Sequence, residues 1–269
     1  PQDAVKLGIQ NRAFRYGDAI FETFRCFGNQ PFMLDLHYDR LMKAMATVGM
    51  ETKLFPPLDV LEKKVESIIN KNRYFGSSRI RLTVFRNDGG LYTPETNTCS
   101  YLIESTPIDE PNYSLNTKGL IAGIYTDMGK QPSIISPFKT GNSMLFVMAG
   151  TFKTTHNLTE VLITNTNGLI IEALASNLFW FKGNQLFTPA VSSGCVDGIM
   201  RQMVMKVAKL HNVQVVEVPG ITNEAIREVD ELFVTNSIQG IRWIVGIGES
   251  RFYNIKTRQL FQSFIQTIS

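Results

Sequence analysis

Residues 172–201 read EALASNLFWFKGNQLFTPAVSSGCVDGIMR, and this stretch decides the fold class. Residues 170–180 carry one acid, Glu172, inside a run of apolar and small residues. Lys182-Gly183-Asn184-Gln185 is a turn between two apolar runs, so Leu178–Phe181 and Gln185–Thr188 are predicted to form a hairpin. Thr188-Pro189 ends it. Ser192-Ser193-Gly194 then leads through Asp197 into a helix with apolar residues at Ile199, Met203, Val204, Val207 and Leu210. A loop that delivers backbone amides to a helix start is suited to an anion, because first-turn N–H groups have no intrahelical partner. An acid before the hairpin and a phosphate-sized site after it suggest a cofactor with one basic and one anionic end. Pyridoxal phosphate is such a cofactor.

Composition narrows the class further. The 269 residues suffice for a sizeable core in one or two domains, with 43% hydrophobic and 19% charged residues and a net charge of +3. That small excess, with no basic cluster interleaved with aromatics, argues against nucleic acid. No apolar run reaches the length of a membrane span, and no secretory leader pattern opens the chain. Cys26, Cys99 and Cys195 fit neither a disulfide framework nor zinc spacing, which favours a cytoplasmic setting. His37, His156 and His211 are equally scattered, so neither a metal site nor a Ser-His-Asp triad is expected. The chain lacks an initiator Met and begins close to its first functional-looking segment, so part of the native N-terminus is expected to be missing.

Upstream, Ala19 to Phe27 reads as a strand after the Tyr16-Gly17-Asp18 turn. Gly28-Asn29-Gln30-Pro31 reads as a turn, and Phe32-Met33-Leu34 as the start of a return strand. A helix opens at Asp35 with Leu41, Ala44, Met45 and Val48 inward; a second follows Pro56-Pro57 with Val60, Leu61, Val65, Ile68 and Ile69 inward. Arg79 to Phe85 alternates as a half-buried strand, with Ser100–Glu104 as its partner. Residues 105–116 form the best candidate linker. Beyond it come a strand at Gly119–Tyr125, a polar loop at Asp127–Pro137 and an apolar helix at Ser143–Thr151. Further strands fall at Val161–Thr164, Leu169–Ile171, Val213–Val218, Leu232–Thr235 and Trp243–Ile247, with a short helix at Glu224–Arg227. The expected architecture is α/β (or α+β) in two domains: residues 1–109, a linker at 110–117, and a larger domain at 118–269 that carries Lys139.

Glu172 with Asn177-Leu178-Phe179, then Thr188-Pro189, Gly194 and Gly198-Ile199-Met200-Arg201, resembles the class IV aminotransferase family. These are fold-type IV pyridoxal-phosphate enzymes: branched-chain aminotransferases, D-amino acid aminotransferases and 4-amino-4-deoxychorismate lyases. The resemblance runs from about Arg12 to about Ile244 with its motifs in order. It implies the two-domain D-amino acid aminotransferase-like fold. It also makes Lys139 the Schiff-base lysine and Glu172 the partner of the pyridine nitrogen. Arg40, in His37-Tyr38-Asp39-Arg40-Leu41, becomes a phosphate ligand whose guanidinium fork suits that anion. The amides of Ile199 and Met200, with Asn236 and Ser237, complete the phosphate contacts. From the residues alone, a surface lysine is the favoured reading of Lys139, Arg40 could be a member of a surface ion pair, and Glu172 could equally be a solvent-facing edge residue. Asp197 could use the helix amides itself as an N-cap, and Asn236-Ser237 could be an ordinary Asx or Ser turn. One departure stands out. The D-amino acid enzymes have a serine three residues after the glutamate, where this chain has Ala175 followed by Ser176.

Within the family, the lyases are the best match. Branched-chain enzymes typically read Phe-Glu-Gly-x-Arg and carry a tyrosine five residues after the lysine; here these are Phe21-Glu22-Thr23-Phe24-Arg25 and Met144. The Arg-x-His carboxylate trap of the D-amino acid enzymes is missing. Arg86-Asn87-Asp88-Gly89-Gly90-Leu91-Tyr92 and Lys139-Thr140-Gly141-Asn142 resemble the lyases instead. The resemblance therefore implies cleavage of aminodeoxychorismate to pyruvate and 4-aminobenzoate. Thr23 is a candidate proton donor, and Arg81 or Arg86 a candidate ligand of a substrate carboxylate. A branched-chain or D-amino acid aminotransferase is the alternative, and a non-catalytic pyridoxal-phosphate-binding protein a remote one. The expected partners are a small amino substrate and a second copy of the chain in a homodimer, with the site near the domain and subunit boundary.

Overall fold

The computed structural model describes residues 6–74 and 76–268. It divides into two compact units: residues 1–111 with 138–143, and residues 112–137 with 144–269. The Lys139 segment, expected with the second domain, is packed with the first. The reason is strand pairing. The Phe21 N–H donates to the Lys139 carbonyl (2.9 Å), the Gly141 N–H donates to the Ala19 carbonyl (2.7 Å), and Thr140 bridges to Ile20.

The first unit opens with α1 (Arg12–Tyr16), β1 (Ala19–Phe27), β2 (Gln30–Pro31), α2 (Leu34–Thr47) and α3 (Leu58–Asn72). It continues with β3 (Ser77–Arg86) and β4 (Cys99–Ile108), and the sheet order is β2-β1-β3-β4. The two-residue period of β1 and β3 puts Ile20, Phe24, Cys26, Ile80, Leu82 and Val84 on one face, where Leu41, Met45, Leu61 and Val65 of α2 and α3 cover them. Glu22 shares that otherwise apolar face. The expected return strand at Phe32–Leu34 does not form. Met33 takes a left-handed backbone (φ 54°) and turns the two-residue β2 directly into α2. Val60 lies on the exposed side of α3 rather than the buried one. The expected linker also begins later than its composition suggested, because β4 runs on to Ile108.

The second unit is built on β5 (Leu120–Lys130), α4 (Met144–Thr155), β6 (Glu160–Asn165), β7 (Ile170–Ala173), β8 (Asn177–Lys182) and β9 (Gln185–Pro189). Then follow α5 (Ile199–Leu210), β10 (Gln214–Val218), β11 (Glu231–Asn236), β12 (Gly240–Ile247), β13 (Ser250–Arg251) and α6 (Ile255–Ile268). The strand order is β10-β9-β8-β11-β12-β5-β6-β7, and β7 pairs back onto β8, closing a ring. The hairpin expected within 178–188 is the β8–β9 pair, and the helix expected after Asp197 is α5, although Leu210 at its end is exposed. The polar loop predicted from Asp127 starts later, because β5 continues past a bulge to pair Lys130 with Asn165. α6 went unpredicted. Its start is capped by the buried Glu231, whose carboxylate accepts from the N–H groups of Lys256 and Thr257, each at 2.7 Å. No helix among the described residues is long and apolar enough to cross a membrane.

Candidate active site

Lys139 lies beside β1 with its side chain on the face of the first sheet opposite α2 and α3. Its ammonium stands 5.7 Å from the centre of the Phe21 ring. Phe138 packs into the core of this unit and anchors the segment. Burial, then the positive charge of Arg40, bring the Lys139 pKa down to about 8, with Arg79 and Arg81 adding to the effect and Glu22 opposing it. A lysine in this state reaches the neutral, nucleophilic form near physiological pH. The neighbouring Gly141 is required by packing, since a Cβ there would sit 2.9 Å from the Gly17 carbonyl oxygen.

Behind β1, Glu22 is buried against α2. Arg40 donates to it through Nε (2.8 Å) and Nη2 (2.6 Å), and His37 Nδ1 lies 2.7 Å from Oε2. Burial by itself would raise the Glu22 pKa; the charge of Arg40 and the hydrogen bonds from His37 and Arg40 outweigh it and hold the group at about 2. Burial pushes the His37 pKa down. Glu22 and His37 stand outside the residues that the sequence marks for the site. The signal for them is an acid at an inward position of a strand, which must have a partner.

The second unit holds the other predicted residues. Glu172 sits buried in β7, where its Oε1 accepts from Lys130 Nζ (2.6 Å) and its Oε2 from the Val196 N–H (2.9 Å). It is not a solvent-facing edge residue. Lys130 falls where composition predicts a polar loop, so the sequence carries no signal for this pairing. The α5 helix starts at Ile199 with Gly198 as N-cap and no side-chain cap. Asp197 is therefore not the cap; its carboxylate lies near Arg201 (3.5 Å) and accepts from Gln202 (3.0 Å). Gly198 is obligatory, because a Cβ would fall 1.9 Å from Asn177 Oδ1. The Asn236 carboxamide forms the Asx turn, accepting from the N–H groups of Ile238 and Gln239, while its Nδ2 donates to Ser176 Oγ (2.9 Å). The Ser237 carbonyl accepts from the Tyr113 hydroxyl (2.7 Å).

The two candidate carboxylate ligands part company. Arg86 is buried, donating to Asp18 Oδ2 (2.9 Å), the Val48 carbonyl (2.7 Å), the Gly49 carbonyl (3.2 Å) and Asn97. It is a structural clamp. Arg12 shares Asp18 and holds the Gly89 and Leu91 carbonyls, so the lyase-like segment 86–92 is pinned from two sides. Arg81 remains part-exposed, lying over the Phe21 ring at 3.7 Å. Thr23 pairs with it across β1 and β3.

The Lys139 amine with its lowered pKa in the first unit, and the buried Glu172 carboxylate and the helix start with no side-chain cap in the second, are each of a chemical kind that suits pyridoxal phosphate. Residues 19–247 match the model of the Amino-transferase class IV family. The chain is 26% identical over 241 residues to aminodeoxychorismate lyase of Bacillus subtilis, covering 88% of this chain and 80% of the relative. Among solved structures it is similar to the branched-chain amino acid aminotransferase of Escherichia coli (26% identical, TM-score 0.86, covering 100% of this chain and 91% of that one). It shares the fold of 4-amino-4-deoxychorismate lyase from Pseudomonas aeruginosa (20% identical, TM-score 0.82, covering 98% and 96%). The chain belongs to the class IV aminotransferase family of pyridoxal-phosphate-dependent enzymes.

Proposed function

We propose that this enzyme is a 4-amino-4-deoxychorismate lyase that releases pyruvate and 4-aminobenzoate. The observation that carries the reading is the chemistry beside Lys139: Arg79, Arg81 and Thr23 share its sheet face, where a branched-chain side chain would call for an apolar lining. In this reading Lys139 carries the cofactor, and Glu172 meets its pyridine nitrogen. Arg40, the amides of Ile199 and Met200, and Asn236 with Ser237 hold its phosphate. When bound, pyridoxal phosphate supplies a conjugated ring that takes up the electron pair left by C–H cleavage. The Lys139 amine, once the substrate's 4-amino group has taken its place and left it free with a pKa of about 8, would remove the proton from C4 of the substrate as general base. The bond from C3 to the enolpyruvyl oxygen then breaks, and Thr23 delivers a proton to the departing group. Arg81 holds a substrate carboxylate.

Relatives carry both lyase and branched-chain aminotransferase names, so the second reading is an aminotransferase with the same lysine and acid. The test is turnover of aminodeoxychorismate with no keto acid added. We expect pyruvate and 4-aminobenzoate over many cycles, and slow or no reaction with branched-chain L-amino acids or D-alanine. Keto-acid-dependent cycling on those amino acids, with no pyruvate from aminodeoxychorismate, would favour the second reading. The working unit is proposed to be a homodimer. Met144, Val147 and Met148 support it as an exposed apolar stripe along one side of α4, and sedimentation tests it.

A further inference from the structure

We infer that Arg79 joins Arg81 in a two-carboxylate recognition site on the sheet face that carries Lys139, and that the enzyme thereby selects dicarboxylate substrates. The inference rests on Lys139 being the cofactor lysine. Arg79 and Arg81 are two residues apart in β3, so both side chains leave the same face, with backbones roughly 6–7 Å apart. Across β1 they pair with Arg25 and Thr23, and Lys139 lies over Phe21 on that same face.

The three arginines differ in what engages them. Arg25 is buried and tied to Ser77 Oγ (3.3 Å) and the Glu110 carbonyl, so it is structural. Arg81 is oriented by the Phe21 ring and by Thr83 Oγ1 (3.2 Å), and its one acidic neighbour among the described residues is the half-exposed Glu104 at 4.0 Å. No hydrogen bond or ion pair engages Arg79 among the described residues. The buried acid of this unit, Glu22, faces the opposite side and is taken by Arg40 and His37. Lys139, Arg79 and Arg81 thus crowd three cations together with one weakly placed acid. Their mutual repulsion adds to the lowered pKa of Lys139, for which burial and then Arg40 are larger causes, and to that of Arg81, for which burial is the largest. A ligand bearing two carboxylates relieves that repulsion by pairing with both guanidinium forks, whereas a monocarboxylate satisfies one.

The test titrates the holoenzyme with two unreactive probes, benzene-1,3-dicarboxylate and benzoate, by calorimetry. The expected result is dicarboxylate binding tenfold or more tighter than benzoate, in line with one added charge-assisted contact. Arg79→Met should remove most of that preference while leaving benzoate affinity near wild type. Arg79→Lys should keep part of it, since lysine retains the charge without the fork. Equal affinity for the two probes in the wild type overturns the inference without recourse to any variant. So does full preference retained in Arg79→Met. The outcome separates from that of the lyase proposal. Pyruvate release without dicarboxylate preference removes only the present inference. Dicarboxylate preference in an enzyme that needs a keto acid to cycle removes only the lyase.

Discussion

Arg40 grips both oxygens of Glu22, Nε to Oε1 at 2.8 Å and Nη2 to Oε2 at 2.6 Å, in a pocket where each side chain is almost fully buried. The bidentate geometry fixes the plane of the guanidinium. Glu22 thereby decides where Arg40 points, and His37 on the same carboxylate decides where Glu22 points. The proposed phosphate ligand is thus also part of the fold of the first unit.

That double role shapes the first prediction. Arg40→Ala leaves Glu22 buried without its cation, and breaking a buried pair from one side costs about 3–5 kcal/mol. Urea unfolding of the apoprotein should register that loss before any cofactor is added. The double variant Glu22→Leu with Arg40→Met should recover part of it. If Arg40→Ala unfolds like the wild type and loses only cofactor retention, the pair contributes nothing to stability.

The second prediction concerns acid. Glu22 has a folded pKa of about 2, below its ordinary carboxylate value of 4.5, so its stabilisation is fully present above about 4.5 and is lost as pH falls toward 2. The magnitude is roughly 3 kcal/mol from the size of that shift. Glu22→Gln should therefore narrow the difference between stability at pH 5 and at pH 3. Equal acid sensitivity in both proteins, measured by urea midpoints, would place the titrating group elsewhere.

Much of the architecture was legible because local signals agreed with the fold. The alternation of β3, the Lys182–Gln185 turn and the apolar side of α5 each follow from period and turn chemistry. Three features escaped for physical reasons. The helical turn of Met33 depends on a left-handed backbone that methionine seldom adopts. The extension of β5 to Lys130 depends on pairing with a strand 35 residues further on, which a polar composition conceals. The cap of α6 is Glu231, which lies far back in the sequence. For the proposed site, Lys139, Arg40 and Glu172 are candidates that family resemblance supplies. It does not supply their partners Glu22 and Lys130, because partnership is a matter of tertiary distance.

The third prediction uses one such partner. Lys130 is held as the partner of Glu172, whereas Lys139 has its pKa lowered to about 8. Borohydride reduction of the holoenzyme should join the cofactor to the peptide bearing Lys139. Glu172→Gln should keep the cofactor yet slow turnover, because an amide no longer favours a protonated pyridine nitrogen. Label on the Lys130 peptide, or unchanged turnover in Glu172→Gln, would overturn these assignments.

The last prediction separates two arginines that looked alike in the sequence. Arg86 donates to Asp18, Asn97 and the Val48 and Gly49 carbonyls, all around a buried guanidinium. Arg86→Ala strips those acceptors of a donor, leaves Asp18 to Arg12 alone and unpins one end of the segment at residues 86–92. A loss of about 3 kcal/mol or more is expected, read as a lowered urea midpoint. Arg81 is part-exposed, and its acid neighbour Glu104 is 4.0 Å away and half in solvent, so its removal should alter stability by less than about 1 kcal/mol. Its effect should appear in KM for aminodeoxychorismate instead, raised about tenfold or more, with kcat changed much less, because a carboxylate contact held equally in ground and transition states acts on binding. Substrate kinetics and unfolding on the same two variants decide the matter. Should Arg81→Ala leave KM untouched while a well-folded Arg86→Ala raises it, the roles are reversed, and Arg86 must leave its clamp to meet the substrate.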